Sequence, residues 1–435
     1  MAGTVIQSVQ QVDRVILRVL VDNERNKVVY AEAGKDFVDA LFSFLTLPLG
    51  TIARLVAKES NVEAVRFGSI SSLYQSVANL DEQYLWTHAC KEMLLNPRNF
   101  MEAYCRNMKL NIDDTEPTKY FVCENLTCYS ESRSGLLSTF RNQRCTCGRV
   151  LDLLKFSMLS NTPLTDFIFR NNNQFIRSLN RRNQSVFEIR DVSPYDFRQM
   201  SVKLLVRNST REVLYAEAEE DFVDFLLSFL TFPLGGVLHM LQGFSSVSSI
   251  DNLYNSMTEL SPDRYLISQD LKNKMVTPLC APQFELRNQL LPISAASLPT
   301  YYYHTYQTKV FSRCLPSVNS TPKYVSNCVS QHNTPLSFVD PKFCLSKSSS
   351  SGEYAKGPSM FLVTDSLVVT PMSSVSAASY LIRSNVPLFD LEEMVIRIGV
   401  NEGLNILKAA LTSTSALTIG LFQIIRTNLG GLPTI

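Results

Sequence analysis

The sequence predicts an α+β protein of two related domains. Each is a β-hairpin followed by apolar helices, and the first carries a Cys-rich, ribbon-like insert. Three observations lead there. Tyr30 to Gly50 (YAEAGKDFVDALFSFLTLPLG) returns as Tyr215 to Gly235 (YAEAEEDFVDFLLSFLTFPLG), an offset of 185 residues with 16 of 21 positions identical. Each copy is preceded by a β-branched run and a polar turn. Each copy then shifts to helical spacing, with Phe37, Leu41, Phe44 and Leu45 in one and Phe222, Leu226, Phe229 and Leu230 in the other.

Taken in order, Val15 to Val21 and Val28 to Ala33 predict a hairpin across the polar stretch Asp22 to Lys27. In the second copy, Val202, Leu204 and Val206 and then Glu212 to Ala218 repeat it across Asn208 to Arg211. Asp36 and Asp221 open the apolar helices, where a carboxylate can cap orphan N–H groups and oppose the helix dipole. Pro48 and Pro233, just before Gly50 and Gly235, predict that these helices stop there. A further helix is expected over Thr51 to Lys58. Leu73, Tyr74 and Ser76 match Leu253, Tyr254 and Ser256 on short amphipathic helices, and Trp86 reads as a packing anchor.

Leu151 to Phe169 resembles Leu404 to Phe422 at an offset of 253 residues, so both repeats close on the same kind of helix. The larger offset places an extra section in the second repeat: a strand over Phe361 to Val369, a helix over Ser376 to Ile382 and a strand over Glu393 to Ile398. The domains are therefore drawn as 12–170, with the Cys-rich insert at 120–148, and 201–425, with the extra strands and helix at 360–425. The polar stretch 171–200 reads as a linker, and Ser346 to Gly357 as a low-complexity loop.

YAEAGKDFVD, FSFLTLPLG, TDSLVVTPMS and LNILKAALTSTSALT together resemble a plant-specific family, the domain of unknown function 674. The resemblance spans nearly the whole chain and implies tandem domains. It implies no activity, substrate or catalytic residue.

Composition narrows the function classes. Hydrophobic residues at 45% and charged residues at 19% mark a globular chain. A net charge of +1 supplies no global attraction for nucleic acid or an acidic membrane. Phe37 to Val56 is the nearest approach to a membrane span, but Asp39, Pro48, Gly50 and Arg54 interrupt it. Ten Cys without a signal peptide favour reduced thiols or a metal, in an intracellular protein of the cytoplasm or nucleus.

The one candidate chemical site is Cys123, Cys128, Cys145 and Cys147, a C-x4-C followed by C-x-C-G. Four thiolates on turns can enclose a tetrahedral zinc, and with no open position that zinc is structural. Reduced structural thiols are the alternative. His304 stands where the first repeat has Cys123, with Cys314, Cys328 and Cys344 at wide spacing beyond it. Asp36 with Asp39 and Asp221 with Asp224 form carboxylate pairs, which helix capping explains. No HExxH, GxSxG, GxGxxG or P-loop occurs. The leading expectation is a non-enzymatic scaffold or protein-interaction module with an unidentified protein partner. A zinc-ribbon nucleic-acid binder is the second, and an enzyme with an unfamiliar site the third.

Overall fold

The structure is a computed structural model that describes residues 17–58, 67–106, 121–122, 135–140, 199–262, 268–293, 295–296, 301–304, 325–326, 333–338, 340–342 and 352–428. Helices and strands both contribute, and the architecture is α+β with a duplicated domain.

The first repeat opens with the hairpin β1 (Leu17–Asp22) and β2 (Lys27–Ala33), antiparallel. Asp22 Oδ1 accepts from the N–H groups of Glu24 and Arg25 at 3.0 and 3.2 Å, which closes the turn. Helix α1 (Lys35–Ser43) runs into a 3-10 turn, Phe44–Thr46, and α2 (Leu49–Lys58) begins just past Pro48. Proline lacks the N–H that would continue the ladder, so the chain turns there as the sequence predicts. Next come α3 (Gly68–Asn79), α4 (His88–Leu95) and α5 (Glu102–Arg106). Thr87 caps α4 by accepting from Cys90 N–H.

The second repeat retraces this path. Strands β5 (Met200–Arg207) and β6 (Val213–Ala218) pair in the register of β1 and β2. The helices are α6 (Glu220–Ser228), α7 (Leu234–Met240), α8 (Ser248–Glu259) and α9 (Gln269–Val276), with a 3-10 turn at Phe229–Thr231. The added section supplies β10 (Phe361–Thr364), β11 (Val369–Pro371), α10 (Ser374–Ser384) and β12 (Leu391–Ile398). The expected single strand over 361–369 is in fact a tight hairpin, because Asp365 turns away to bind Thr418. Helices α11 (Val400–Thr412), α12 (Ala416–Gly420) and α13 (Phe422–Asn428) close the repeat.

Two five-stranded sheets result. One has the order β11-β10-β6-β5-β12 and lies wholly in the second repeat. The other joins both repeats. Its strands β3 (Phe121–Val122) and β4 (Gly135–Ser138) meet β7 (Tyr301–His304), β8 (Val325–Ser326) and β9 (Asn333–Phe338) through a parallel β4–β9 contact.

One continuous apolar core runs through both repeats, from Leu45, Leu49, Leu73 and Met93 to Phe222, Phe229, Leu407 and Leu417. LPLG at 47–50 and its counterpart FPLG at 232–235 meet within it. Leu49 N–H donates to Phe232 O at 2.9 Å, and Leu234 N–H donates to Leu47 O at 2.9 Å. Each of these atoms maps onto its counterpart at the repeat offset of 185. This is an isologous contact, the pattern of a two-fold dimer interface, made here within one chain. It also accounts for the glycines. A Cβ on Gly50 would sit 2.9 Å from Leu230 O, and one on Gly235 would sit 3.0 Å from Leu45 O.

Two expectations are corrected. Asp36 and Asp221 lie inside the first helical turn and not at the capping positions Gly34 and Glu219, neither of which makes a side-chain cap, although Asp221 Oδ1 does accept from Phe222 N–H at 2.6 Å. Glu353, Tyr354 and Ala355, drawn as part of a low-complexity loop, are buried. The linker 171–200 lies outside the described residues except at its last two positions, and so does the first repeat's closing segment 151–169.

Candidate functional site

Among the described residues, several buried polar groups gather around Asp224, on the core face of α6. Helical spacing puts it between Phe222 and Phe225, both buried. A carboxyl there must find donors or remain neutral. It finds two: Asp224 Oδ1 accepts from the N–H groups of Tyr354 at 3.0 Å and Ala355 at 2.7 Å. Its other oxygen, Oδ2, is buried without a hydrogen-bond partner. Burial pushes the Asp224 carboxyl well above the usual carboxylate range, and the two N–H donors only partly offset this.

The strap carrying those donors also grips the first repeat. Trp86 N–H donates to Tyr354 O at 3.0 Å, Lys356 N–H donates to Tyr84 O at 2.8 Å, and Leu85 bridges Ala355. Residues 353–356 therefore fasten α6 of one repeat to the segment after α3 of the other. Tyr354 is fully buried, and its hydroxyl donates to Phe284 O at 3.0 Å. Lys342 is fully buried as well. Its ammonium donates to Gln283 O at 2.5 Å and Glu285 O at 2.9 Å, and it lies 3.5 Å from Asp340 Oδ1 and 5.7 Å from the Tyr354 ring centre. Neighbouring Glu353 accepts from Asn288 at 2.8 Å.

Two buried thiols border the cluster. Burial raises Cys90 to about 11 and Cys280 to about 12. Protonated thiols are poor nucleophiles and poor metal ligands. Asp224 Oδ1, the Tyr354 hydroxyl and the Lys342 ammonium are thus spent on backbone groups within the core, which is the chemistry of a fastening.

The four sequence-predicted ligands, Cys123, Cys128, Cys145 and Cys147, lie outside the described residues. Among the described residues no group of three or more His, Cys, Asp or Glu is gathered as a metal site. Cys90 and Cys280 are buried free thiols, and Cys105 is buried against Thr46 and Asn99. The carboxylate pairs separate by environment. Asp39 is ion-paired to Lys35 near the surface, while Asp224 is sealed in the core. Sequence alone treated the two alike. Lys342 and Tyr354 carried no sequence signal, because only the fold brings them beside Asp224. No described helix is long and apolar enough to cross a membrane.

A second feature is open where this cluster is closed. In the second repeat, Val202, Leu204, Val206, Val213, Ala216 and Ala218 line one face of the hairpin and are buried in the core. On the other face, Leu205 and Tyr215 pack with Leu362 under Ala377, Tyr380 and Leu381. The matching residues of the first hairpin are exposed: Val19 is 47% exposed, Leu20 49% and Tyr30 53%. The hairpin β1–β2 forms a sheet of its own.

The family model described as "Protein of unknown function (DUF674)" matches residues 11–153 and 148–401. No curated protein and no solved structure matches the chain.

Proposed function

The chain belongs to the DUF674 family of proteins of unknown function, and from that premise we propose that it is a non-enzymatic scaffold whose first hairpin is a protein-interaction surface. One observation carries the reading. The same supersecondary unit occurs twice; it is enclosed on both faces and both edges in the second repeat and exposed in the first. Exposed apolar faces rimmed by charge favour protein contact, and open strand edges favour pairing with another strand. The sealed Asp224 cluster supports the same reading, since its polar groups fasten the two repeats together.

The repeat limits 12–170 and 201–425, with 171–200 between them, are part of this proposal. So is a structural zinc held by Cys123, Cys128, Cys145 and Cys147, which rests on the donor chemistry of four thiolates. An intracellular location agrees with the buried free thiols of Cys90 and Cys280.

The test compares proteins captured by the wild-type chain with those captured by a Val19→Lys/Val28→Lys variant of the same stability. Binding that disappears with the variant supports the reading, and an unchanged set of bound proteins opposes it. Loss of biological function in Asp224→Asn with the fold intact would point to chemistry instead.

A further inference from the structure

We propose that the occupant of the open hairpin is a second copy of this chain, paired antiparallel along the outer edge of β1. The proposal rests on the interaction reading above and names its partner.

The second repeat shows which edge accepts a strand. Its β5 takes β12 along its whole length, antiparallel from Met200↔Ile398 to Arg207↔Leu391. The contact is fastened by Lys203 to Glu393 at 2.9 Å and Arg207 to Asp390 at 2.8 Å. At the offset of 185, β1 is the counterpart of β5. The β2 edge is the poorer template. The register slips between Leu20↔Tyr30 and Val21↔Val28, which leaves Val29 as an extra residue in β2. A bulge twists an edge away from pairing. In the second repeat the corresponding strand β6 accepts β10 only over Tyr215 to Ala218, past its own bulge.

Charge selects a second copy as the partner. Two identical antiparallel strands related by a two-fold axis perpendicular to the sheet keep each residue on its own face. With Leu20 on the axis, Val19 lies opposite Val21 of the second copy and Arg18 lies opposite Asp22 of the second copy. Opposite charges directly across a strand pair are favourable, and the symmetry gives two such pairs. Centring on Val19 or Val21 loses this match. On β2, centring on Val29 or Tyr30 sets Lys27 opposite alanine. Asp22 Oδ1 closes the turn, and its Oδ2 lies 3.9 Å from exposed Arg25.

The pairing also satisfies the edge of β1, whose outward N–H and C=O groups are a template for another strand. Leu17, Val19, Val21, Val28, Ala31 and Ala33 share one face of the hairpin, and two such faces side by side form a four-stranded sheet with one continuous apolar face.

The experiment is sedimentation of the full chain over a concentration series, with hydrogen exchange at β1 in the same samples. The wild type is expected at twice 49.0 kDa, with β1 amides protected in proportion to dimer. In the Arg18→Asp/Glu32→Arg variant, the hairpin keeps its own cross-strand pairing, because Arg18 and Glu32 are opposite each other in β1–β2. Position 18 now meets Asp22 of the second copy with like charge, so the dissociation constant is expected to rise by about tenfold or more. A variant that dimerises as the wild type does overturns the proposal. A wild type that stays monomeric with freely exchanging β1 amides also overturns it, while leaving the interaction reading standing. A monomer whose β1 amides are already protected overturns both.

Discussion

Replacing Asp224 separates its hydrogen bonding from its charge. In Asp224→Ala the N–H groups of Tyr354 and Ala355 lose their acceptor inside the core. A buried donor left unpaired costs about 1–3 kcal/mol, so the pair should destabilise the protein by roughly 2–6 kcal/mol. Asp224→Asn keeps a carbonyl oxygen where Oδ1 accepts both bonds and removes the charge that burial opposes. The sign with pH follows from linkage. The folded carboxyl titrates well above its unfolded value, which is near 3.9 for aspartate. Between those two values the folded state binds more protons than the unfolded one. Wild-type stability therefore falls as pH rises through that window, then levels off above the folded pKa. The Asn variant lacks this slope and should be at least as stable as the wild type at neutral pH. Urea unfolding at several pH values, followed by the emission of the sole tryptophan, Trp86, reads both effects, because Trp86 is bonded to the strap itself. An Ala variant as stable as the wild type would refute the fastening role. An Asn variant as damaged as the Ala variant would refute the argument from charge.

Further outcomes are expected elsewhere. Gly50→Ala gains about 1 kcal/mol of helix propensity, yet its Cβ meets Leu230 O at 2.9 Å and Leu94 O at 3.2 Å. Overpacking of about 1–3 kcal/mol should make it net destabilising in thermal unfolding, whereas Gly34→Ala, with nothing within 4 Å, should stay within about 0.5 kcal/mol. Cys90 and Cys280, held near 11 and 12 by burial, should resist iodoacetamide in the folded chain and react once it is denatured, as read by mass spectrometry. Elemental analysis should find zinc in the wild type and none in a Cys145→Ser/Cys147→Ser variant, with a lower unfolding midpoint in that variant; metal-free wild type would remove the site.

Several elements were legible from the sequence because they depend on local chemistry. The hairpins follow from β-branched runs on either side of polar turns, and the breaks at Pro48 and Pro233 follow from the missing N–H. The strand ending at Ile398 and the helix before Ser384 appeared within a few residues of their observed limits. The split of 361–369 into β10 and β11 was not legible, because the turn depends on Asp365 binding Thr418, 53 residues away.

The candidate site followed the same division. Asp224 was visible as one of a pair three residues apart, but its mates were not. Lys342 and Tyr354 lie more than a hundred positions away, and Tyr354 falls within the stretch that read as a low-complexity loop.

The sequence by itself determined the duplication, the α+β class and the family, because identity at a fixed offset and hydrophobic period are properties of the chain alone. Only the tertiary structure decided how the repeats relate. Leu49 to Phe232 and Leu234 to Leu47 make a two-fold contact inside one chain, and no periodicity encodes which backbone will meet which. The tertiary structure also gave identical motifs unequal surroundings. Tyr215 is buried under Tyr380, and Tyr30, its twin in sequence, faces water. Burial depends on what packs against a residue, and the strands and helix that enclose the second hairpin come from residues 361–398, far from it in sequence.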